Sequence, residues 1–559
     1  MNSQPSFFSQ AVNFISTVQG GVEPRTGLYN AQLSLAQLSG NRGMGPIIPV
    51  VLKYTLLDTL NSVNTGLGEG FSLGLSAYNR ASGELTLSTG EHYHVVEDAA
   101  GSGVSLLQKK LDNVRFEKDP NNNYYRVLHR NGDIELLQGQ DSGFDIKRPV
   151  RLMIAAGHAL TLSRDAQNRL VSMVDDDRIQ LLAISYPDDV SASTRLRLYP
   201  GTVEGYDVVL KFSNDRLIAV QSHAVPENPL EWSLAYTTMT PEVWGIWLTG
   251  VTGPAGAWET VIYRQDGQGH AFPEEAGYPV LPYVTQYRHG PGCGQSGMEV
   301  LYSYTTHNFL GHESGNADWQ HNQDNLYNCL TDYTYGSTET QADGDDPRII
   351  TRTYNNFHLQ IQENSRQGGT RCTRDTVYYA RFGVGFEAQP PQYQLPETQT
   401  ETWEDKMGQR TETTQTTFYT AGNLLTRLGP EGILTTCDYY PSTGDGTDCP
   451  PEPNGFTRFL RSVTVTPAKT AWRDVPVLRT LYRYATCTSV PETVGALVMK
   501  NGERHYSDKT LLKTVDFLYE PTAIRHCCKV IDEVAFCHIE RPYMSKTLLT
   551  RRISPWGAP

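Results

Sequence analysis

The sequence predicts an all-β protein, a long antiparallel sheet assembled hairpin by hairpin, with one short helix ahead of it. Three observations carry that prediction. Short runs rich in Val, Ile, Leu, Thr and Tyr recur along the 559 residues, with turn residues between them. Tyrosine dominates the aromatics, at 31 residues against 17 Phe and 8 Trp, and such side chains suit a pleated, half-buried surface. No stretch beyond residue 20 sustains a helical period.

The elements follow in chain order. Phe7, Phe8, Ala11, Val12, Phe14, Ile15 and Val18 recur at helical spacing before Gly20-Gly21. Residues 1–20 are therefore predicted as an amphipathic helix docking on the main body. Its polar face carries no Lys or Arg, which argues against a membrane-surface role. Strands are predicted at Ile47–Tyr54, Tyr124–Leu128, Ile134–Gln138, Ile179–Tyr186, Arg195–Tyr199 and Val208–Phe212. Further strands are predicted at Trp232–Tyr236, Val300–Tyr304, Ile349–Tyr354 and Leu481–Tyr484. Asn131-Gly132 and Asn501-Gly502 read as two-residue hairpin turns, because such turns need positive φ.

A degenerate repeat runs beneath the strands. Asn168-Arg169-Leu170, Asp215-Arg216-Leu217, Gly422-Asn423-Leu424 and Gly132-Asp133-Ile134 share one shape. Each begins with a residue that tolerates the left-handed conformation and ends on an aliphatic residue starting a strand. Units of this kind bury their faces only against neighbours, so they predict a sheet extended by repetition. The end of the helix at residue 20 and soft boundaries near residues 100, 290 and 520 divide the chain into five parts. These are the helix 1–20, an opening β segment 21–100, a hairpin region 101–290, a repeat region 291–520 and an atypical tail 521–559. His289-Gly290-Pro291-Gly292 punctuates the clearest junction, and Ala342–Pro347 and Pro441–Gly455 read as exposed loops.

Composition narrows the function. The 47 Lys+Arg against 61 Asp+Glu give a net charge of −14, which disfavours nucleic acid or anionic lipid as the main partner. The N-terminus lacks a basic segment followed by an apolar one, so it is not a secretory signal peptide. The longest apolar run, around Pro46–Leu52, is far short of the ~20 residues of a spanning helix. Nine cysteines, odd in number and without disulfide-domain spacing, point to synthesis in a reducing compartment. Any export then uses a route that ignores signal peptides.

Several sets of residues could carry chemistry. The tail holds His526, Cys527, Cys528, Cys537 and His538, but adjacent cysteines diverge on any regular element, which disfavours a zinc site. Asp175-Asp176-Asp177, and Asp343 with Asp345 and Asp346, offer oxygen ligands for calcium without the full loop grammar. His92 and His94 share one strand face but lack a third ligand. Gly66-Leu67-Gly68-Glu69-Gly70 is glycine-rich, yet no helix follows to hold a phosphate, so it reads as a bend. No nucleophile elbow, Walker loop or dinucleotide fingerprint is present. Alternating tyrosines and tryptophans can stack on sugars, although they also simply line the faces of a sheet. No catalytic, cofactor-binding or metal-binding residue is assigned.

Several segments together resemble bacterial Rhs/YD-repeat proteins, the group of polymorphic-toxin shells and of the cocoon component of insecticidal toxin complexes. They are Pro24-Arg25-Thr26-Gly27-Leu28-Tyr29, Gly45-Pro46, Gly66–Leu75 and Leu87-Ser88-Thr89-Gly90-Glu91. The likeness continues in Asn308-Phe309-Leu310-Gly311, Asp324-Asn325-Leu326-Tyr327, Tyr354-Asn355-Asn356-Phe357-His358-Leu359 and Thr464-Val465-Thr466-Pro467-Ala468. It spans roughly residues 20–520. Phe71 stands where the family usually has tryptophan, and Phe418-Tyr419 stands for the repeat's Tyr-Asp pair. The family's self-cleaving core motif and the toxin beyond it have no counterpart, so the chain reads as C-terminally incomplete.

The resemblance implies a sheet of YD-type hairpins spiralling into a hollow shell, here incomplete. Such a shell encapsulates and delivers a C-terminal toxin without itself being an enzyme. The implied partners are the toxin cargo and a secretion or injection apparatus, with no cofactor. The implied location is the bacterial cytoplasm on synthesis. The alternative is a carbohydrate-binding adhesin with a glycan partner.

Overall fold

The computed structural model describes residues 8–10 and 21–538 apart from short internal stretches, with side chains as far as Phe517. The stretches left out are 57–64, 99–102, 120–123, 139–144, 188–192, 239–244, 265–266, 316–318, 343, 345, 470–474, 488–496, 522–525 and 533–535. The protein is all-β, and all of its described strands but the first four join one long antiparallel sheet. The helix predicted over residues 1–20 lies outside the described residues except for Phe8, Ser9 and Gln10, which are buried against the body.

Twelve strands set up the architecture. β1 (Gly21–Val22), β2 (Tyr29–Ser39), β3 (Ile47–Tyr54) and β4 (Phe71–Ser72) form a separate four-stranded sheet. β5 (Ala77–Asn79), β6 (Glu84–Thr86), β7 (His92–Glu97) and β8 (Val104–Leu106) follow. β9 (Val114–Lys118), β10 (Tyr125–His129), β11 (Ile134–Gln138) and β12 (Ile146–Met153) complete the set. β5 to β12 come round on themselves, because β12 opens on β5, with Ile146 opposite Asn79 and Lys147 opposite Tyr78. The ring encloses Tyr78, Leu85, Tyr93, Phe116, Tyr125 and Val127, whose inward positions alternate along each strand. β12 then turns to β11 and to the strand Ala159–Arg164, so the sheet forks along its length.

From β12 onward each strand pairs with its neighbours in sequence through to Phe536–His538. The sheet runs without interruption across residue 290, where Val284–Gly290 pairs with Met298–Tyr304. Residues 521–538 were expected to break the strand rhythm, yet His526–Asp532 lies antiparallel to Thr510–Pro521.

The first part of the large sheet carries a second layer on one face. β2 and β3 lie on the large sheet and share one core with it, including Tyr29, Leu52, Tyr54, Leu198, Leu210, Trp247 and Leu281. Tyr54 locks the layers together. Its hydroxyl donates to Ile246 O at 2.9 Å and accepts from Leu248 N at 3.1 Å.

The repeat has a physical basis in one turn. In Leu87–Glu91, His129–Asp133, Asp165–Arg169, Asn355–Leu359 and Tyr419–Asn423 the first N–H donates to the fifth carbonyl. The fourth N–H donates back to the first carbonyl, and that fourth residue has positive φ in every case. This is a three-residue hairpin loop with a bulge, and Gly90, Gly132, Asn168, His358 and Gly422 fill its left-handed position. Asn131-Gly132 therefore belongs to this longer loop rather than to a two-residue turn. Asn214-Asp215, with φ of 51° and 62°, supplies the two-residue turn instead. Asn501-Gly502 is not a turn either. It lies inside the strand Leu497–Ser507 at a bulge, where the Arg483 guanidinium fills the space beside Gly502.

Bulges also explain the tyrosines. A bulge strips one carbonyl of its ladder partner, and a phenol from the next strand donates to it. Tyr186 reaches Leu170 O at 2.8 Å, Tyr236 reaches Leu217 O at 2.6 Å and Tyr263 reaches Leu248 O at 2.7 Å. Tyr484 does the same for Leu460 O at 3.1 Å.

Candidate functional site

The sequence-level candidates resolve into structural parts. Asp175 is buried, and its two carboxylate oxygens accept from Asn41 N at 2.7 Å and Ile179 N at 2.8 Å. Asp176 accepts from Ala159 N at 2.7 Å and faces Arg151, while Asp177 faces Arg42. These carboxylates fix turns and are engaged by backbone donors and arginines. Asp346 accepts from Gly368 N at 2.9 Å, and Asp343 and Asp345 lie outside the described residues. The side chains of His526, Cys527, Cys528, Cys537 and His538 also lie outside them. Among the described residues no group of His, Cys, Asp and Glu is arranged to hold a metal ion.

His92 and His94 stand on one face of β7 as expected. Burial pushes the pKa of His92 down to about 4 and lowers that of His94. The glycine-rich segment is a close crossing. Gly68 has φ of +101°, and a Cβ there would come 2.8 Å from Leu217 Cβ. Glu69 N donates to Asp215 O at 2.9 Å across the same crossing. The segment is thus the predicted bend, pressed against the large sheet.

The residues that converge most tightly surround Asp324, which caps the short turn Asn325–Asn328. Its Oδ2 accepts from Ser9 Oγ at 2.9 Å, Gln10 N at 2.7 Å and His358 Nε2 at 2.7 Å. Its Oδ1 accepts from Leu326 N at 3.0 Å. Its backbone pairs both ways with the Gln108 side chain, at 2.9 and 2.7 Å. A carboxylate only accepts here, so Nε2 of His358 is the donor, and Nδ1 meets the Tyr335 hydroxyl at 2.8 Å. Carboxylate, imidazole and phenol in line have the order of a proton relay. Asp324 is 2% exposed, and His358 is fully buried. Closed off from solvent, these groups hold Ser9 and Gln10 to a turn more than 300 residues further along the chain.

A second convergence opens to solvent. Trp232, Trp258, Tyr287, His289, Glu259 and Gln32 line a groove of about 590 Å³. Trp258 stands opposite Gly290, and a Cβ on Gly290 would come 2.7 Å from the indole nitrogen, so glycine makes room for the ring. Tyr287 and His289 stack with centroids 5.2 Å apart. The Tyr287 hydroxyl donates to Glu259 Oε2 at 2.9 Å. Burial raises the Glu259 pKa, partly offset by that hydrogen bond. Sequence reasoning missed this site because strand register brings Trp258 and Gly290 together. The available signal was tryptophan on one strand and glycine at the end of the next.

The buried histidines give an expected pH dependence. Burial holds His270 down at about 3, against a hydrogen bond to Thr26 O that raises it, and His92 down at about 4. The unfolded chain takes up these protons near 6.5 while the native state resists them. Stability should therefore fall as pH drops from about 6.5 towards 4. Urea unfolding across that range checks this, and His270→Phe should flatten the slope. Glu259 acts in the opposite sense, because its raised pKa withdraws stability as pH rises above 4.5. Glu259→Gln should therefore stabilise the protein at neutral pH.

No family model matches the chain, and no curated protein sequence matches it. Solved structures do. The chain is similar to a crystal structure of TcdB2-TccC3 without its hypervariable C-terminal region, at 11% identity and a TM-score of 0.29, over 90% of this chain and 27% of that one. It is similar to TcdB2-TccC3 at 11% identity and a TM-score of 0.28, over 90% and 28%. It is similar to TcdB2-TccC3-Cdc42 at 9% identity and a TM-score of 0.24, over 92% and 26%. This chain spans about a quarter of the length of those structures.

Proposed function

We propose that this chain is a wall-forming part of an Rhs/YD-type shell that encloses a toxin polypeptide and takes no catalytic part. One observation carries the reading. Within the four strands Gln360–Gln367, Thr370–Tyr378, Pro396–Asp405 and Gly408–Phe418 no side chain is buried, so both faces are half-exposed or exposed, apart from the end at Tyr378, which packs on a small cluster with Phe386 and Tyr393. Its strands read QIQENSRQ, TRCTRDTVY, PETQTETWED and GQRTETTQTTF, polar on both faces. A sheet of a globular domain hides one face against a second layer. A sheet polar on both faces suits a barrier between two aqueous volumes. Threonine pairs brace it across strands, Thr400 with Thr413 at 3.3 Å and Thr402 with Thr411 at 3.2 Å.

The two-layered part then serves as the closed end of the shell and the four strands between residues 360 and 418 as part of its wall. Synthesis takes place in the cytoplasm, and delivery uses a secretion or injection apparatus that needs no signal peptide. The test is co-expression with a toxin polypeptide as cargo, followed by trypsin. A protected, inactive cargo fragment is the expected result. A cargo cut as fast as the free polypeptide would contradict the proposal.

The groove at Trp232 and Trp258 supports a second reading, a carbohydrate-binding surface, because indole faces beside a carboxyl and a phenol suit a sugar ring. On a glycan array this reading expects a saturable, sugar-specific signal that Trp258→Ala removes. A blank array leaves the shell alone.

A further inference from the structure

Strand register brings one carboxyl group and several aromatic rings to the same face of the groove at Trp232. Glu259 lies on the strand Trp258–Tyr263, opposite His289 on the strand Val284–Gly290. Val251 pairs with Leu234 on one side and Glu259 on the other, which sets Trp232, two residues before Leu234, on the face of Glu259. Tyr287 joins them through its stack on His289. Trp232 and Tyr287 pack against the shared core, are half-buried and still line the groove. At about 590 Å³ the groove falls within the ~300–1,000 Å³ of small-molecule clefts.

The groups that face Glu259 are the phenols of Tyr29 and Tyr287 and the imidazole of His289. The described lining holds no Lys or Arg. Arg288, beside His289 in the chain, is held by Glu299 at 2.6 Å. Burial raises the Glu259 pKa, so the charged carboxylate costs stability at neutral pH that a glutamine would not. A bound cation offsets that cost, and the faces of Trp232 and Tyr287 attract a cation as well. The net charge of −14 draws cations to the protein over a longer range. A neutral sugar uses the indole face but leaves the carboxylate without a counter-charge, and an acidic sugar is repelled.

We propose that this groove selects an amino sugar, with its protonated amine on the Glu259 carboxylate and its ring against the Trp232 indole. The proposal rests on the sugar-binding reading of the groove. Calorimetric titration of the full chain at neutral pH with glucosamine, glucose and propylamine tests it. Glucosamine should bind saturably and about tenfold or more tighter than glucose, because a charge-assisted hydrogen bond replaces a neutral one. Propylamine, which lacks the ring, should bind weaker than glucosamine by about the same factor. Glu259→Gln, the stabilising variant, should bring glucosamine down to the level of glucose, and Trp232→Ala should weaken both sugars. Glucose bound as tightly as glucosamine, or a glucosamine preference that survives Glu259→Gln, would overturn the amine selectivity and leave the sugar reading standing. A blank glycan array with no saturation by either sugar would remove both.

Discussion

Replacing Asp324 with alanine should cost about 3–5 kcal/mol of stability, because it strips a buried carboxylate from all its donors at once. Ser9 Oγ, the Gln10 and Leu326 amides and the His358 imidazole all donate to it, and all four belong to buried residues. His358 is fully buried at a left-handed loop position, with φ of 59°, so it cannot swing out to solvent. Denaturant unfolding of Asp324→Ala measures the cost. Hydrogen exchange at Ser9 and Gln10 gives an independent reading, since the variant should release the N-terminal segment before the body unfolds. Tyr335→Phe removes only the outer hydroxyl and should cost about 1 kcal/mol. Equal effects from the two variants would show that the residues do not act as a latch.

Tyr54→Ala should destabilise by about 3–5 kcal/mol, since it opens a cavity between the two layers and strands two backbone groups of the large sheet. Tyr54 is 1% exposed and packs against Phe71 with ring centroids 5.4 Å apart. Tyr54→Phe keeps the packing but leaves the Leu248 amide without its acceptor, for an expected cost of about 1–3 kcal/mol. The difference between the variants separates packing from hydrogen bonding. Losses confined to β1–β4 by hydrogen exchange would show that the opening sheet detaches as a unit, whereas the shared core expects both layers to fail together.

Local features were legible in the sequence, and long-range meetings were not. Predicted strands such as Ile47–Tyr54 and Ile134–Gln138 match the observed bounds because alternation and turn residues are local signals. The triplet at Asn168 and Gly422 marked left-handed positions, which only a few residue types fill without strain. The same preference misled at Asn501-Gly502, because a bulge and a turn favour the same residues. The packing of β2 and β3 on the large sheet could not be read, since these strands look the same whether they face a cavity or another sheet. The latch joins Ser9 to Asp324, and the groove joins Trp258 to Gly290. Both depend on register and on the curvature of the whole sheet.

A wall built from the four strands between residues 360 and 418 has water on one side and cargo on the other. Cysteine labelling on opposite faces of the strand Pro396–Asp405 tests it most directly, with Thr402→Cys on one face and Glu401→Cys on the other. Both positions should label at comparable rates in the protein alone, and only one should slow when cargo is enclosed. A face that stays unreactive in the protein alone would show a second layer packed on it, and would contradict the wall.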